Sequence, residues 1–251
     1  GARQKTSTPK NVTRMNYNEN PYGMSDEVKK AVTDASLNSY MYQDFYAVDL
    51  KKQLADLYGL TIDHVCIGAG SSAIIDMLGE VFINYGDEVV YCAPTYEAFP
   101  DMVSDNGGVR VVLPLTDDYC YDLDAMLAAI TDKTKMVIVC NPNNPTGTTL
   151  TKDQLQEWVD YANKNGAVII YDAAYEAYIS EDNIAHTIYE CKGAKTCAIE
   201  LRSFSKNAGF TGVRLGFTVV PKELKCGDVS LNAMWARRHG TCLLYTSPSP
   251  R

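Results

Sequence analysis

What this sequence has little of narrows its chemistry before any motif is read. No apolar run in its 251 residues approaches the ~20 that a membrane-spanning helix needs. The first fifteen residues carry Lys5, Lys10 and Arg14 and lack the apolar block of a secretory leader. Both absences point to a cytoplasmic protein with no membrane partner. Basic charge is scarce as well: 23 Lys and Arg stand against 31 Asp and Glu, for a net charge of −8. A phosphate backbone would meet a repulsive average field, so no nucleic-acid partner is expected. Histidines number three, and the eight cysteines (Cys66, Cys92, Cys120, Cys140, Cys191, Cys197, Cys226 and Cys242) include no CxxC pair and no histidine at metal-ligand spacing. We read the cysteines as reduced core fillers and expect no metal.

What is there is enough apolar content, 46%, to bury a full core. Short β-rich runs alternate with amphipathic helical stretches, the pattern of a parallel sheet with crossover helices. Strands are predicted at 65–67, 88–92, 109–113, 136–140, 168–171, 197–204 and 216–220, and helices at 47–58, 72–83, 96–106, 123–130 and 152–165. The last helix follows Thr151, with Gln154 three residues on, the signature of a capping box. The expected fold is α/β, a three-layer sandwich around a mostly parallel seven-stranded sheet. Ligands of such open sheets sit at the carboxyl ends of the strands. That is where the motifs fall.

Gly68-Ala69-Gly70-Ser71-Ser72 follows the first strand and opens a helix, so free N–H groups there suit a phosphate; taken alone, a plain tight turn with a serine cap is the better explanation, and it lacks the GxGxxG spacing of a dinucleotide site. Tyr96, in Pro94-Thr95-Tyr96 after the second strand, can stack on a flat heteroaromatic ring or simply pack. In Asn141-Pro142-Asn143-Asn144-Pro145-Thr146-Gly147 the prolines and glycine make a rigid turn, which leaves the Asn144 amide to be explained. Asp172 ends a buried apolar strand and is costly there unless it meets a cation or several donors; Tyr175 stands three residues on. Capping of the strand end is the alternative. Lys206, flanked by Ser203 and Ser205 and followed by Arg214, has hydroxyls and a planar guanidinium around it that suit one phosphate. Nearby positive charge and partial burial would lower its pKa, as an amine nucleophile requires.

Together these residues resemble the fold-type I, class I and II aminotransferases over roughly residues 15 to 240. The resemblance implies pyridoxal 5'-phosphate as cofactor, with Lys206 carrying it and moving the proton in catalysis. It implies that Asp172 pairs with the pyridine nitrogen, that Asn144 and Tyr175 bond the ring hydroxyl, and that Tyr96 stacks on the ring. Gly70, Ser71, Ser72, Ser203, Ser205 and Arg214 would hold the phosphate. Tyr42 is similar to the tyrosine that reaches the phosphate of a neighbouring subunit, which implies a homodimer. The small-molecule partners would be an amino donor and an oxo-acid acceptor.

On the donor the resemblance is divided. Asn18-Glu19-Asn20-Pro21-Tyr22-Gly23 through residue 147 looks like histidinol-phosphate aminotransferases, with Asn18, Glu19, Asn20 and Tyr22 on the substrate side; residues 172–177, 188–190, 202–214 and 235–238 look like LL-diaminopimelate aminotransferases. Either this is a divergent subgroup or two genes join near residues 165 to 172. Histidinol phosphate is the expected donor, LL-diaminopimelate the alternative. A lyase or decarboxylase would use the same cofactor residues, and a sensor domain or an incompetent fragment is the reading of another class.

The resemblance also divides the chain. Residues 1–40 form an N-terminal arm and part of a small domain, 41–222 the cofactor-binding large domain, and 223–242 the start of a connection to a C-terminal small domain that is largely missing. Residues 243–251 depart from the family pattern and resemble translated adaptor sequence. The family's arginine for the substrate carboxylate lies in that small domain and has no counterpart here, so the substrate is expected to be poorly clamped.

Overall fold

In the computed structural model, residues 12–13, 15–42, 44 and 46–240 are described; the expectations for Lys5, Lys10, Arg14, Cys242 and the tail 243–251 lie outside them. All seven predicted strands form: β1 (Val65–Gly68), β2 (Glu88–Ala93), β3 (Val109–Pro114), β4 (Thr134–Cys140), β5 (Ile169–Asp172), β6 (Ala198–Ser203) and β7 (Gly216–Val219). They make one sheet in the order β1-β7-β6-β5-β4-β2-β3. Every neighbouring pair is parallel except those of β7, which runs antiparallel to both β1 and β6. A two-stranded hairpin, β8 (Lys225–Cys226) with β9 (Val229–Ser230), follows.

The helices are α1 (Asp26–Ser36), α2 (Val48–Tyr58), α3 (Gly70–Phe82), α4 (Ala98–Asp105), α5 (Leu123–Ala128), α6 (Lys152–Asn165) and α7 (Leu231–Gly240). Alternation along each strand splits the core into two layers. On one face Ile138, Ile170, Ile199 and Leu201 pack against Ile74, Leu78, Phe99 and Trp235 of α3, α4 and α7. On the other Val139, Ile169, Tyr171 and Ala198 pack against Leu155, Trp158 and Val159 of α6 and Met126 of α5. α2 covers the β1–β7 edge through Leu54 and Ala55. The arrangement is the expected three-layer sandwich.

Several local details agree with the sequence, and several differ for identifiable reasons. The Thr151 hydroxyl accepts from the Gln154 N–H at 3.3 Å and the Gln154 carboxamide accepts from the Thr151 N–H at 3.0 Å, a complete capping box. α4 begins at Ala98 rather than 96, which leaves Tyr96 on the loop after β2. α3 begins at Gly70, with Ala69 as its cap and no side-chain bond to its first turn, so the serines lie inside the helix instead of capping it. α1 and α7 have no counterpart among the predicted helices: α1 buries no residue, and its start is marked only by Ser25 accepting from the Val28 N–H at 3.3 Å.

Close approach of the α3 start to β7 depends on Gly216. A Cβ there would lie 2.8 Å from the Arg202 carbonyl oxygen, 2.9 Å from the Ser71 nitrogen and 3.0 Å from the Gly70 carbonyl carbon, all backbone atoms that cannot swing aside. Gly216→Ala is therefore expected to destabilise the chain by about 1–3 kcal/mol through overpacking, measured as a lower urea midpoint at unchanged slope.

Candidate active site

Four parallel strands end side by side, and the residues that follow β2, β4, β5 and β6 surround one cavity of about 1010 Å³. It lies on the α3 face, because Cys140 and Ile170 point that way and Asp172, two residues beyond Ile170, shares their side. Of the residues singled out in the sequence, Ser71, Ser72, Tyr96, Asn144, Asp172, Tyr175, Ser203, Ser205, Lys206 and Arg214 line it, together with Asn18 and Glu19 from the N-terminal arm.

One end of the cavity is built for an anion. Arg214 Nη1 lies 3.4 Å from the Ser205 hydroxyl and donates to the Thr211 carbonyl at 3.0 Å, while Nη2 lies 3.5 Å from the Ser72 hydroxyl. Ser72 in turn meets the Tyr96 hydroxyl at 3.2 Å. Gly70, at φ +78°, does not line the cavity but makes room for this guanidinium: a Cβ would stand 2.5 Å from Arg214 Nη2. Guanidinium, two hydroxyls and an uncapped helix start converge at this end.

The floor is different. Asp172 is 2% exposed, and among the described residues no cation pairs with it. Its donors are the Ala174 N–H at 3.0 Å and the Cys140 thiol, 3.9 Å away. Burial pushes its carboxyl up to about 6, only partly offset by the Ala174 and Cys140 donors. Lys206 Nζ donates to the Tyr17 carbonyl at 2.7 Å, and burial lowers its pKa, helped by Arg214 and opposed by Glu19. The Tyr175 hydroxyl accepts from the Asn18 amide at 3.0 Å. This set fits pyridoxal 5'-phosphate: an anion cradle at one end, a buried carboxylate lacking a cation where a protonated ring nitrogen supplies one, and an amine of lowered pKa between them.

Besides Gly70, three expected site residues do not line the cavity. The Asn20 carboxamide accepts from the Tyr22 N–H at 3.0 Å, an Asx-type turn that directs Tyr22 outward to 93% exposure, so neither lines the cavity. Tyr42 is 74% exposed and also outside the cavity of its own chain. Conversely, Tyr17, Thr95, Cys140 and Thr211 line the cavity without having been singled out as site residues. Thr211 could have been found, since it stands between Lys206 and Arg214; Tyr17 contributes a backbone carbonyl, which no side-chain motif reveals. A smaller cavity of about 300 Å³ lies beyond Asn18, Asn144 and Tyr175, along Tyr178 to Glu181.

The family model for aminotransferases of class I and II matches residues 10–241. The LL-diaminopimelate aminotransferase of Lachnospira eligens is 50% identical over 201 residues, covering 77% of this chain and 49% of that protein. Among solved structures, the L,L-diaminopimelate aminotransferase of Chlamydomonas reinhardtii superposes with a TM-score of 0.77 at 33% identity, over 88% of this chain and 59% of that one. A histidinol-phosphate aminotransferase from Sinorhizobium meliloti in complex with pyridoxal-5'-phosphate gives 0.73 at 26% identity, over 89% and 62%. The chain thus spans about half the length of the curated relative it matches.

The raised pKa of Asp172 has a consequence for stability. Between the ordinary carboxylate value and about 6 the folded chain keeps a proton that the unfolded chain has released, so stability falls as pH rises through this window and the cost is complete above it. Asp172→Asn is expected to stabilise the cofactor-free chain by about 1–3 kcal/mol at pH 8 and by little at pH 4, while weakening cofactor binding. Urea unfolding at the two pH values measures this, and equal effects at both would contradict it.

Proposed function

Because the chain belongs to the class I and II aminotransferase family, whose cofactor is pyridoxal 5'-phosphate, we propose that it is the cofactor-binding part of an aminotransferase that moves an amino group from an amino-acid donor to an oxo acid. The observation that carries the reading is the pairing, in one cavity, of a buried carboxylate without a cation and a lysine of lowered pKa. Bound, the cofactor supplies an aldehyde carbon and an electron-accepting ring. The chain's own residues do the rest. Ser72, Ser205 and Arg214 hold the phosphate, with the N–H groups of Gly70 and Ser71 beside them and Ser203 supporting the turn through its bond from the Ser205 N–H at 3.2 Å. Asp172, as a carboxylate, keeps the proton on the ring nitrogen. Asn144 and Tyr175 would bond the ring oxygen, and Tyr96 would stack on the ring. Lys206 Nζ, its pKa lowered by burial, would be the amine that holds the cofactor through its aldehyde carbon and the base placed to accept the proton of the donor's α-carbon.

For the donor, the relatives favour LL-diaminopimelate over histidinol phosphate. A stretch covering 77% of this chain must include residues 165–172 wherever it begins, so one relative carrying the LL-diaminopimelate name matches continuously across the point where the two likenesses meet. Asn18 and Glu19, at the cavity mouth, would then face the substrate, and Tyr42 would reach the phosphate of a second copy in a homodimer. A biosynthetic role in the cytoplasm fits that reading.

Two outcomes follow. Arg214→Met is expected to weaken cofactor binding by about 10- to 100-fold, as the loss of a charge-assisted bond requires, read by titrating the visible absorption band. A version of the protein extended to its relatives' length is expected to lose that band with LL-diaminopimelate and not with histidinol phosphate; the reverse preference would overturn the donor assignment.

A further inference from the structure

Behind the cavity, on the opposite face of β6, lies a cluster of charges for which the proposed chemistry has no use. Glu200 and Arg202 alternate with Ile199 and Leu201, so they point away from α3 into the other layer of the core, where they are 1% and 4% exposed. Arg202 Nε donates to Glu200 Oε1 at 2.6 Å, Nη2 donates to the His186 carbonyl at 2.8 Å, and Nη1 lies 2.9 Å from Glu176 Oε1. The Tyr58 ring of α2 faces the guanidinium with its centroid 5.0 Å away. Glu200 Oε2 accepts from the Thr187 hydroxyl at 2.6 Å and from the Ile188 N–H at 2.9 Å. Buried ion groups of this kind add little to stability compared with apolar residues of the same volume. Their use must be sought in what they tie together.

Glu176, His186, Thr187 and Ile188 all belong to the connection that leaves β5 after Asp172. Between residues 173 and 190 this connection has only two short 3-10 turns, Glu176–Tyr178 and Ile188–Glu190, and a single bridge between Ile184 and Thr151. No sheet ladder holds it. Glu176 immediately follows Tyr175, whose phenol lines the cavity, and Arg202 lies four residues before Lys206 on the strand that delivers it. One guanidinium therefore fastens the tyrosine-bearing connection to the lysine-bearing strand.

We propose that Arg202, through Glu176, is a positioning residue that fixes the Tyr175 phenol relative to Lys206. The claim rests on the reading above that Tyr175 serves the ring oxygen of the cofactor, and it makes Glu176 the cleanest point of attack. Removing that carboxylate releases the Tyr175 end of the connection while leaving the deeper Arg202–Glu200 pair and its bonds to His186, Thr187 and Ile188 intact.

The test has two arms. In the cofactor-free chain, Glu176→Gln is expected to speed amide hydrogen exchange over residues 174–187 by about tenfold while the strands β4, β5 and β6 keep their protection. Arg202→Lys, which keeps the charge but cannot reach three partners, is expected to do the same, so the idea does not hang on one variant. Exchange that accelerates uniformly, or not at all, would mean that the cluster serves only global stability, and the proposal would fail. In the cofactor-loaded chain, losing a phenol donor to the ring oxygen disfavours its charged form, so Tyr175→Phe should raise the pH at which the visible band changes by about one unit. Glu176→Gln should shift it in the same direction, and should add nothing in the Tyr175→Phe background. Additive shifts would overturn the proposal. A chain that shows no visible band with pyridoxal phosphate would count against the proposed function instead, and the exchange arm would still decide the role of Arg202.

Discussion

A carboxylate buried at the end of a strand with no cation beside it is the constraint on which the rest of this site depends. Asp172 is held by one backbone N–H and one thiol, and its pKa is raised to about 6. The chain accepts that cost in its cofactor-free form. A protonated ring nitrogen bound beside the carboxylate would recover that cost, because the same low-dielectric surroundings that penalise a lone charge strengthen a paired one. A site of this kind is less stable when empty and gains most from the ligand that completes it. That is the behaviour expected of a cofactor site rather than of a structural strand cap.

The remaining parts are arranged by the sheet. Parallel strands bring the ends of β2, β4, β5 and β6 to one edge, and α3 meets that edge with a helix start that no side chain caps. Two glycines allow the approach: Gly216 lets α3 close on β7, and Gly70 leaves room for the Arg214 guanidinium. Arg214, Asp172 and Lys206 are thereby brought to one cavity by backbone geometry. On the far side of β6 the buried Arg202 cluster ties down the connection that leaves β5.

Much of this was legible in the sequence, and the parts that were not share physical reasons. Strands buried on both faces, such as β4 and β5, are near-continuous apolar runs and could be read as such, and the residues just after them were natural places to look for chemistry. Asp172 stood out because an acid ending such a run is expensive, and Lys206 because hydroxyls and an arginine surround it. Helix starts were harder. Tyr96 reads as helical from its neighbours, yet the chain turns after Pro94 and α4 begins only at Ala98. Asn20 and Tyr22 belong to a motif whose likeness to histidinol-phosphate aminotransferases suggested a substrate role, but a local side-chain-to-backbone bond joins them in a turn outside the cavity, with Tyr22 exposed. The Arg202 cluster was invisible because its partners are spread from Tyr58 to Glu200, and nothing in the spacing of Glu176, His186 and Arg202 announces that they meet.

The central claim is that Asp172 exists to keep a proton on the ring nitrogen of the cofactor. The most direct measurement is the ¹⁵N chemical shift of ring-labelled pyridoxal phosphate bound to the chain at pH 8, compared with the free cofactor in its protonated and neutral forms. The account predicts a nitrogen that remains protonated in the bound state and becomes neutral when Asp172 is replaced by Asn. A nitrogen that is already neutral in the unsubstituted chain would contradict it.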